Sequence, residues 1–300
     1  MNENFFTYRN LSGDYSAVEN DIRLGTPTAA FGVSDELKYL LASLSRRQTL
    51  YVAADAVSAA KAHKSISVLS GKKCVRLPAK DEVILYKDAL SKDALFNRLT
   101  AVHALQSGAD IIVADVQALM QLVPARVESI TFEVGGDYDY VALPSKLVGM
   151  GYSREYVPDS RGTFTVRGDI LDIFPVNSDT PVRIDFFGDA VERIRPYDAA
   201  SGERLEAVES VTVISAVEAP YETEEIVNIK KEISENLKTC ADSAAYRRAK
   251  TLSEELIAKL ESGAPFAGSA FVMPLLKCAR TVFDCLKSDA LIIFDECKLV

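Results

Sequence analysis

The sequence predicts an α/β fold in which a parallel sheet is interrupted by a small antiparallel α+β domain. Three observations carry the prediction. Through about residue 125, strand-length apolar runs alternate with segments of helical period, the pattern of a parallel sheet with crossover helices. From Ser129 to about Ser215 the period falls to 2, broken by one helical stretch near Leu143 to Met150. After Ala219-Pro220 helical patterns return, and the apolar run Leu291 to Phe294 comes last.

Each element has its own justification. Asp35 to Ser43 opens with acids and, with Leu44, places Leu37, Leu40, Leu41 and Leu44 at three- and four-residue spacing, a helix. Thr49 to Ala53 is a buried-type strand, and Ala56 to Leu69 an alanine-rich helix. Val83 to Tyr86 reads as a short strand. Asp93 to Gln106 is a helix with Leu95, Leu99, Val102 and Leu105 inward. Gly108-Ala-Asp110 turns into the strand Ile111 to Ala114, and a short helix runs through Met120. In the period-2 region, strands are expected at Thr163–Arg167, Ile170–Phe174, Val182–Phe186 and Val211–Ile214. Turns fall at Pro175 to Pro181, Gly188-Asp189 and Ser201-Gly202. Glu224 to Leu237 and Ala241 to Leu260 are helical. The division expected is 1–125, 126–216 and 217–300, with the middle part inserted into a discontinuous α/β domain. A buried-type strand so near a terminus is unusual, so the chain is expected to be part of a longer protein.

Composition narrows the function classes. The 300 residues are 48% hydrophobic and 26% charged, the profile of a folded chain with a real core. No run reaches the roughly 18 apolar residues of a membrane span, and no signal peptide precedes the first element, so a cytoplasmic protein without membrane contact is expected. A formal net charge of −9 argues against nucleic-acid binding by the surface as a whole. Cys74, Cys240, Cys278, Cys285 and Cys297 form no C-x-x-C pair, and His63 and His103 lie far from them in sequence; neither a metal site nor a catalytic residue is assigned.

The α/β part invites the question of a nucleotide site. A phosphate cradle needs convergent glycine amides, a lysine and a hydroxyl in G-x-x-x-x-G-K-[ST], and the sequence has no such match. The loop entering an early helix, Phe31-Gly-Val-Ser-Asp-Glu-Leu37, carries Gly32, Ser34 and Asp35, but Asp35 and Glu36 put carboxylates where a phosphate would sit. Gly263-Ala-Pro-Phe-Ala-Gly-Ser269 has glycine spacing, no lysine and an internal proline. Asp295-Glu296 follows an apolar strand like an acidic Mg²⁺ motif, and capping of the strand is the plainer reading. No cofactor is expected to bind this chain.

The stretch Arg161 to Asp198 is different. Alternation puts Val182, Ile184 and Phe186 on one face of a strand and Arg183, Asp185 and Phe187 on the other. Phe164 and Val166 likewise face in, while Thr165 and Arg167 face out. Arginine and phenylalanine together on an outer strand face have the composition of an interface hot spot. The competing reading is that the arginines solubilise the sheet and Phe187 packs under its hairpin. Five arginines against six acids between Arg161 and Arg195 make this no basic nucleic-acid stripe.

These residues carry a resemblance. Arg161-Gly-Thr-Phe-Thr-Val-Arg-Gly-Asp-Ile-Leu-Asp-Ile-Phe-Pro175, Val182-Arg-Ile-Asp-Phe-Phe-Gly-Asp-Ala-Val-Glu-Arg-Ile-Arg195 and Tyr197-Asp-Ala-Ala-Ser-Gly-Glu203 resemble the signature of the UvrA-binding domain shared by UvrB and the transcription-repair coupling factors. Ala109-Asp-Ile-Ile-Val-Ala-Asp-Val-Gln-Ala-Leu119 is more loosely similar to the strand and helix that precede that domain. The degenerate loop, and the short segment Ala79 to Leu90 where a long DNA-clamping hairpin could be placed, make the chain look like the N-terminal UvrB-like module of a coupling factor.

The resemblance implies a degenerate, discontinuous RecA/helicase-like domain with an inserted UvrA-binding domain. It also implies UvrA as the partner, contacted by Arg167, Arg183 and Phe187, with Arg161 and Arg195 at the rim. The module would be no enzyme itself. RNA polymerase, double-stranded DNA, ATP and Mg²⁺ would belong to other parts of a full-length translocase that displaces stalled polymerase. The alternative is a divergent UvrB-type subunit that binds ATP and DNA.

Overall fold

The structure is a computed structural model and describes residues 16–80, 91–219, 221–239, 243–263 and 269–296. The expected strand Val83–Tyr86, the loop between Gly263 and Ser269, Cys240 and Cys297 lie outside the described residues. In chain order the first elements are α1 (Ser16–Leu24), α2 (Asp35–Leu44), β1 (Thr49–Ala53), α3 (Ala56–Ser70), β2 (Cys74–Leu77), α4 (Lys92–Gln106), β3 (Ile111–Asp115) and α5 (Val116–Met120). Next come β4 (Val123–Pro124), β5 (Ser129–Glu133), α6 (Leu143–Gly149), β6 (Ser153–Arg154), β7 (Thr163–Arg167), β8 (Ile170–Phe174), β9 (Val182–Phe187), β10 (Ala190–Pro196) and β11 (Ser210–Ile214). The last are α7 (Thr223–Lys238), α8 (Ser243–Glu261), a 3₁₀ turn at Ser269–Leu275, β12 (Ala279–Arg280), a second at Phe283–Cys285, and β13 (Leu291–Phe294).

The chain divides into two compact units, one drawn from Met1–Ala79, Ala104–Gln121 and Val282–Val300, the other from Lys80–His103 and Leu122–Thr281. The first is the expected parallel α/β layer. Its sheet runs β13-β1-β3-β2 with every pairing parallel, so among the described residues the last strand lies beside the first. All five residues of β1 and of β3 are buried, as central strands covered on both faces require. The core joins Tyr39 and Ala42 of α2 and Ala59, Ala62 and Ile66 of α3 to Tyr51 and Ala53 of β1 and Ile111 and Val113 of β3, the alanines letting the helices approach closely. Against expectation, β13 is not fully buried: it forms the sheet edge, and Ile292 and Phe294 are exposed. β2 was not anticipated.

The second unit holds a five-stranded sheet, β10-β9-β8-β7-β6, and the antiparallel ribbon β11-β5. Along β9, Val182, Ile184 and Phe186 are buried and the intervening residues are not, which is the alternation expected. On the inner side Phe186 meets Phe132 of β5 edge-on, with ring centroids 6.4 Å apart. The helices α7 and α8 form a separate small core with Val272, Met273 and Leu276. One ion pair is wholly interior: Arg98 Nε of α4 donates to Glu218 Oε1 at 3.0 Å, with both side chains 1% exposed, and Lys80 lies 3.3 Å from the same oxygen. Among the described residues no helix is long and apolar enough to cross a membrane.

Candidate functional site

The outer face of the five-stranded sheet is built by two hairpins. β7 and β8 are joined at Gly168-Asp169, and β9 and β10 at Gly188-Asp189. Gly168 and Gly188 have φ of 56° and 62°, a left-handed conformation that an L side chain enters at a cost. Arg167 and Phe187 each immediately precede one of these glycines. Both turns are tied to one segment: the Tyr140 hydroxyl donates to the Gly168 carbonyl at 2.7 Å, and the Tyr140 N–H donates to Asp189 Oδ1 at 3.2 Å. The Tyr140 ring packs on Phe186, with centroids 4.7 Å apart, so the inner core sets the position of the outer tips.

Strand register lines up the charged residues in rows. Thr165 faces Asp172, Asp172 faces Arg183 and Arg183 faces Arg195; two residues along, Arg167 faces Ile170, Ile170 faces Asp185 and Asp185 faces Arg193. Arg183 and Arg195 are therefore like charges directly opposite each other, an arrangement that is unfavourable unless each is neutralised. Each has its own carboxylate. Arg183 donates from Nε and Nη2 to the two oxygens of Asp172 at 2.7 and 2.8 Å, and Arg195 donates from Nη2 to Asp185 at 2.5 Å. The fork to Asp172 pushes the Arg183 pKa further up. Burial, reinforced by the Asp172 charge, pushes the nearby Tyr197 hydroxyl up to about 12. Arg167 donates to the Tyr156 carbonyl and stacks over that ring at 4.8 Å. Phe187 is 76% exposed, a large apolar side chain left in water at the end of a strand whose other aromatic is buried. A cavity of about 440 Å³ opens on this face between Arg183, Arg193, Arg195, Arg204, Asp169 and Asp185.

In the parallel-sheet unit, the place where a nucleotide phosphate would sit is the turn from a strand into its helix. The segment singled out in the sequence is a different one. Gly32, Ser34 and Asp35 lie where α1 connects to α2, with no strand before them among the described residues, whereas Ala54-Asp55, between β1 and α3, is such a strand-to-helix turn. There Asp55 caps α3 by accepting from the Ser58 N–H at 2.8 Å, so a carboxylate holds the helix N-terminus. Asp35 and Glu36 do occupy the first turn of α2, as expected. Lys38 lies 2.8 Å from both Asp35 and Asp295, Lys61 bonds Asp35, and the Tyr51 hydroxyl donates to Asp295 at 2.7 Å. Bonds to Lys38 and Lys61 hold the Asp35 carboxyl at about 2, well below its ordinary range. Burial opposes the Lys38 charge, but its bonds to Asp295 and Asp35 outweigh that and raise its pKa. Asp295 thus spends its carboxylate inside the protein rather than merely ending a strand. No cluster of three or more His, Cys, Asp or Glu suited to a metal occurs among the described residues, and Cys74 is a free thiol.

The outer-face geometry coincides with a sequence match. Residues 130–218 match the family model described as the UvrB interaction domain. The chain carries a UvrB interaction domain. It is also 40% identical over 152 residues to the transcription-repair-coupling factor of Myxococcus xanthus, covering 48% of this chain and 12% of that protein. With the transcription-repair-coupling factor of Bacillus subtilis it shares 26% identity over 246 residues, 78% of this chain and 21% of the relative. With the UvrABC system protein B of Bacillus anthracis it shares 32% over 234 residues, 72% and 36% respectively. The chain therefore spans between 12% and 36% of the length of these relatives.

The UvrB interaction domain contains all three residues singled out in the sequence. It places Arg167 and Phe187 at neighbouring hairpin ends and Arg183 in the middle of the same face. Two details of the sequence reading are corrected. Thr165, expected to face out, is only 6% exposed, a short side chain beside Asp172; its inward neighbour Val166 is only half-buried. Arg161 is not at the rim of this face: it bonds Asn97 and Asp93 and stacks over Phe96 at 5.8 Å, which ties the domain to α4. Sequence reasoning missed Asp172 and Tyr197, because their relation to Arg183 exists only across strands.

Proposed function

We propose that the chain is a UvrA-docking module of nucleotide excision repair, acting as the UvrB-like part of a transcription-repair coupling factor. In this reading 126–216 is the docking domain, and 1–125 and 217–300 form the UvrB-like body that carries it. Arg167, Arg183 and Phe187 are the contact residues, and the module recruits UvrA by presenting the surface that UvrB would use. The single observation that supports this most is Phe187, 76% exposed at a hairpin end neighbouring that of Arg167, inside the matched domain. The reading also holds that this chain binds no cofactor and catalyses nothing. RNA polymerase, double-stranded DNA, and ATP with Mg²⁺ belong to the full-length protein. The Asp55 cap at the strand-to-helix turn supports that division, since it places a carboxylate where a phosphate would need a donor.

The experiment is a competition. UvrB added to a preformed complex of this chain with UvrA is expected to displace it; a ternary complex with undiminished occupancy contradicts the reading. A second reading, a divergent UvrB-type subunit with working ATP and DNA sites, is favoured by the 72% of this chain that aligns with the Bacillus anthracis protein. It predicts saturable Mg-ATP heats in a calorimetric titration, where the docking reading predicts none, and DNA binding that weakens steeply with salt.

A further inference from the structure

Arg183 is the best-held guanidinium on the outer face, and the way it is held suggests a division of labour. Asp172 is 5% exposed, too deep to touch a docked protein, yet both of its oxygens are committed to Arg183 at 2.7 and 2.8 Å. Arg183 itself is 35% exposed. Because the fork uses Nε and one N–H of Nη2, the remaining donors of the guanidinium are unspent by Asp172. The Tyr197 ring lies 6.0 Å from the Arg183 Cζ, close enough for a cation–π contact. Tyr197 is placed in turn by its backbone, whose N–H donates to the Pro181 carbonyl at 3.0 Å.

We propose that Asp172 and Tyr197 are positioning residues that hold Arg183 in its binding-ready orientation, a role that rests on the docking reading above. An unrestrained arginine side chain loses several rotamers when it is ordered at an interface, at a cost of up to about tenfold in affinity. The Asp172 fork fixes the planar group beforehand and separates Arg183 from the like charge of Arg195 opposite. The partner atom that suits this arrangement is an acceptor, a carboxylate or a main-chain carbonyl of UvrA, met by the outward edge of a guanidinium whose inner edge is occupied. Lysine in place of Arg183 keeps the charge but cannot serve both edges.

The test is a titration of UvrA against single and double variants, each confirmed folded by circular dichroism at the temperature used. Arg183→Ala is expected to abolish most of the affinity, and Arg183→Lys to lose nearly as much. Asp172→Asn is expected to weaken binding by about tenfold, and to weaken it no further in the Arg183→Ala background. Tyr197→Phe, which keeps the ring, is expected to bind like the wild type, while Tyr197→Ala loses affinity. Unchanged binding by Asp172→Asn, or losses that simply add in the double variant, overturns the positioning role while leaving the docking surface intact. Wild-type affinity in Arg183→Ala overturns the docking reading itself, and the positioning role with it.

Discussion

Two arginine–carboxylate pairs in the same unit show how differently one chemistry can be used. Arg98 and Glu218 are both 1% exposed, with Lys80 closing on the same carboxylate; Arg183 and Asp172 are 35% and 5% exposed. In the first pair, both groups have given up water and can act only on the fold. In the second, only the carboxylate is buried, so the arginine is gripped from below and presented above. The difference teaches which charges are available to a partner: depth decides it, more than charge or spacing. Lys38 in the other unit resembles the first case, since Asp35 and Asp295 absorb its charge.

Breaking the interior pair should have the largest effect. Arg98→Ala leaves the buried Glu218 carboxyl without its main partner, and the loss of a buried partner costs about 3–5 kcal/mol. Chemical denaturation should show that drop, while the fraction that stays folded binds UvrA with unchanged affinity. A stable Arg98→Ala protein with impaired binding would reverse the assignment of the two pairs.

Arg183→Ala should divide its effect. Binding is expected to fall by about 30-fold or more, equivalent to about 2 kcal/mol. Stability is expected to fall by about 1–3 kcal/mol as well, because Asp172 is left buried without its donors. Equilibrium unfolding alongside the titration separates the two losses. A stability loss equal to that of Arg98→Ala would mean that Arg183 is simply another interior group.

The smallest effect belongs to the Lys38 cluster. Asp35 titrates lower in the folded chain, at about 2, than in an unfolded one, at about 4, so its contribution to stability is complete above about pH 4. It disappears as the pH falls toward 2. Asp35→Asn should flatten the acid limb of the stability profile in that window and leave UvrA binding at neutral pH unchanged. Added salt should shrink the difference, since the carboxylate is partly in solvent.

How much of this could be read in the sequence depends on the range of the interaction. β7, β8 and β9 were legible because alternation is a local property, and so was the separation of Arg183 and Phe187 from the inner Phe186. β10 was not, since the register shift between Val191 and Arg193 breaks the alternation. β2 is a short edge strand with only Leu77 fully buried, too brief for a pattern. The sequence has no phosphate-loop match, and Asp35 and Glu36 alone mark the loop before α2 as hostile to phosphate; that a strand-to-helix turn lies at Ala54-Asp55 follows only from where β1 ends and α3 begins. Asp172 could not be connected to Arg183 without the register that puts them side by side, and Arg161 looked like a rim residue until its bonds to Asp93 and Asn97 were known.

The central claim is that the outer face of the five-stranded sheet is a docking surface. It is tested most directly by titrating UvrA against Phe187→Ala, because a side chain 76% exposed can be removed with almost no effect on the fold. The account predicts an affinity loss of about 30-fold, with the unfolding free energy within about 0.5 kcal/mol of the wild type. Wild-type affinity in a folded Phe187→Ala protein would contradict it.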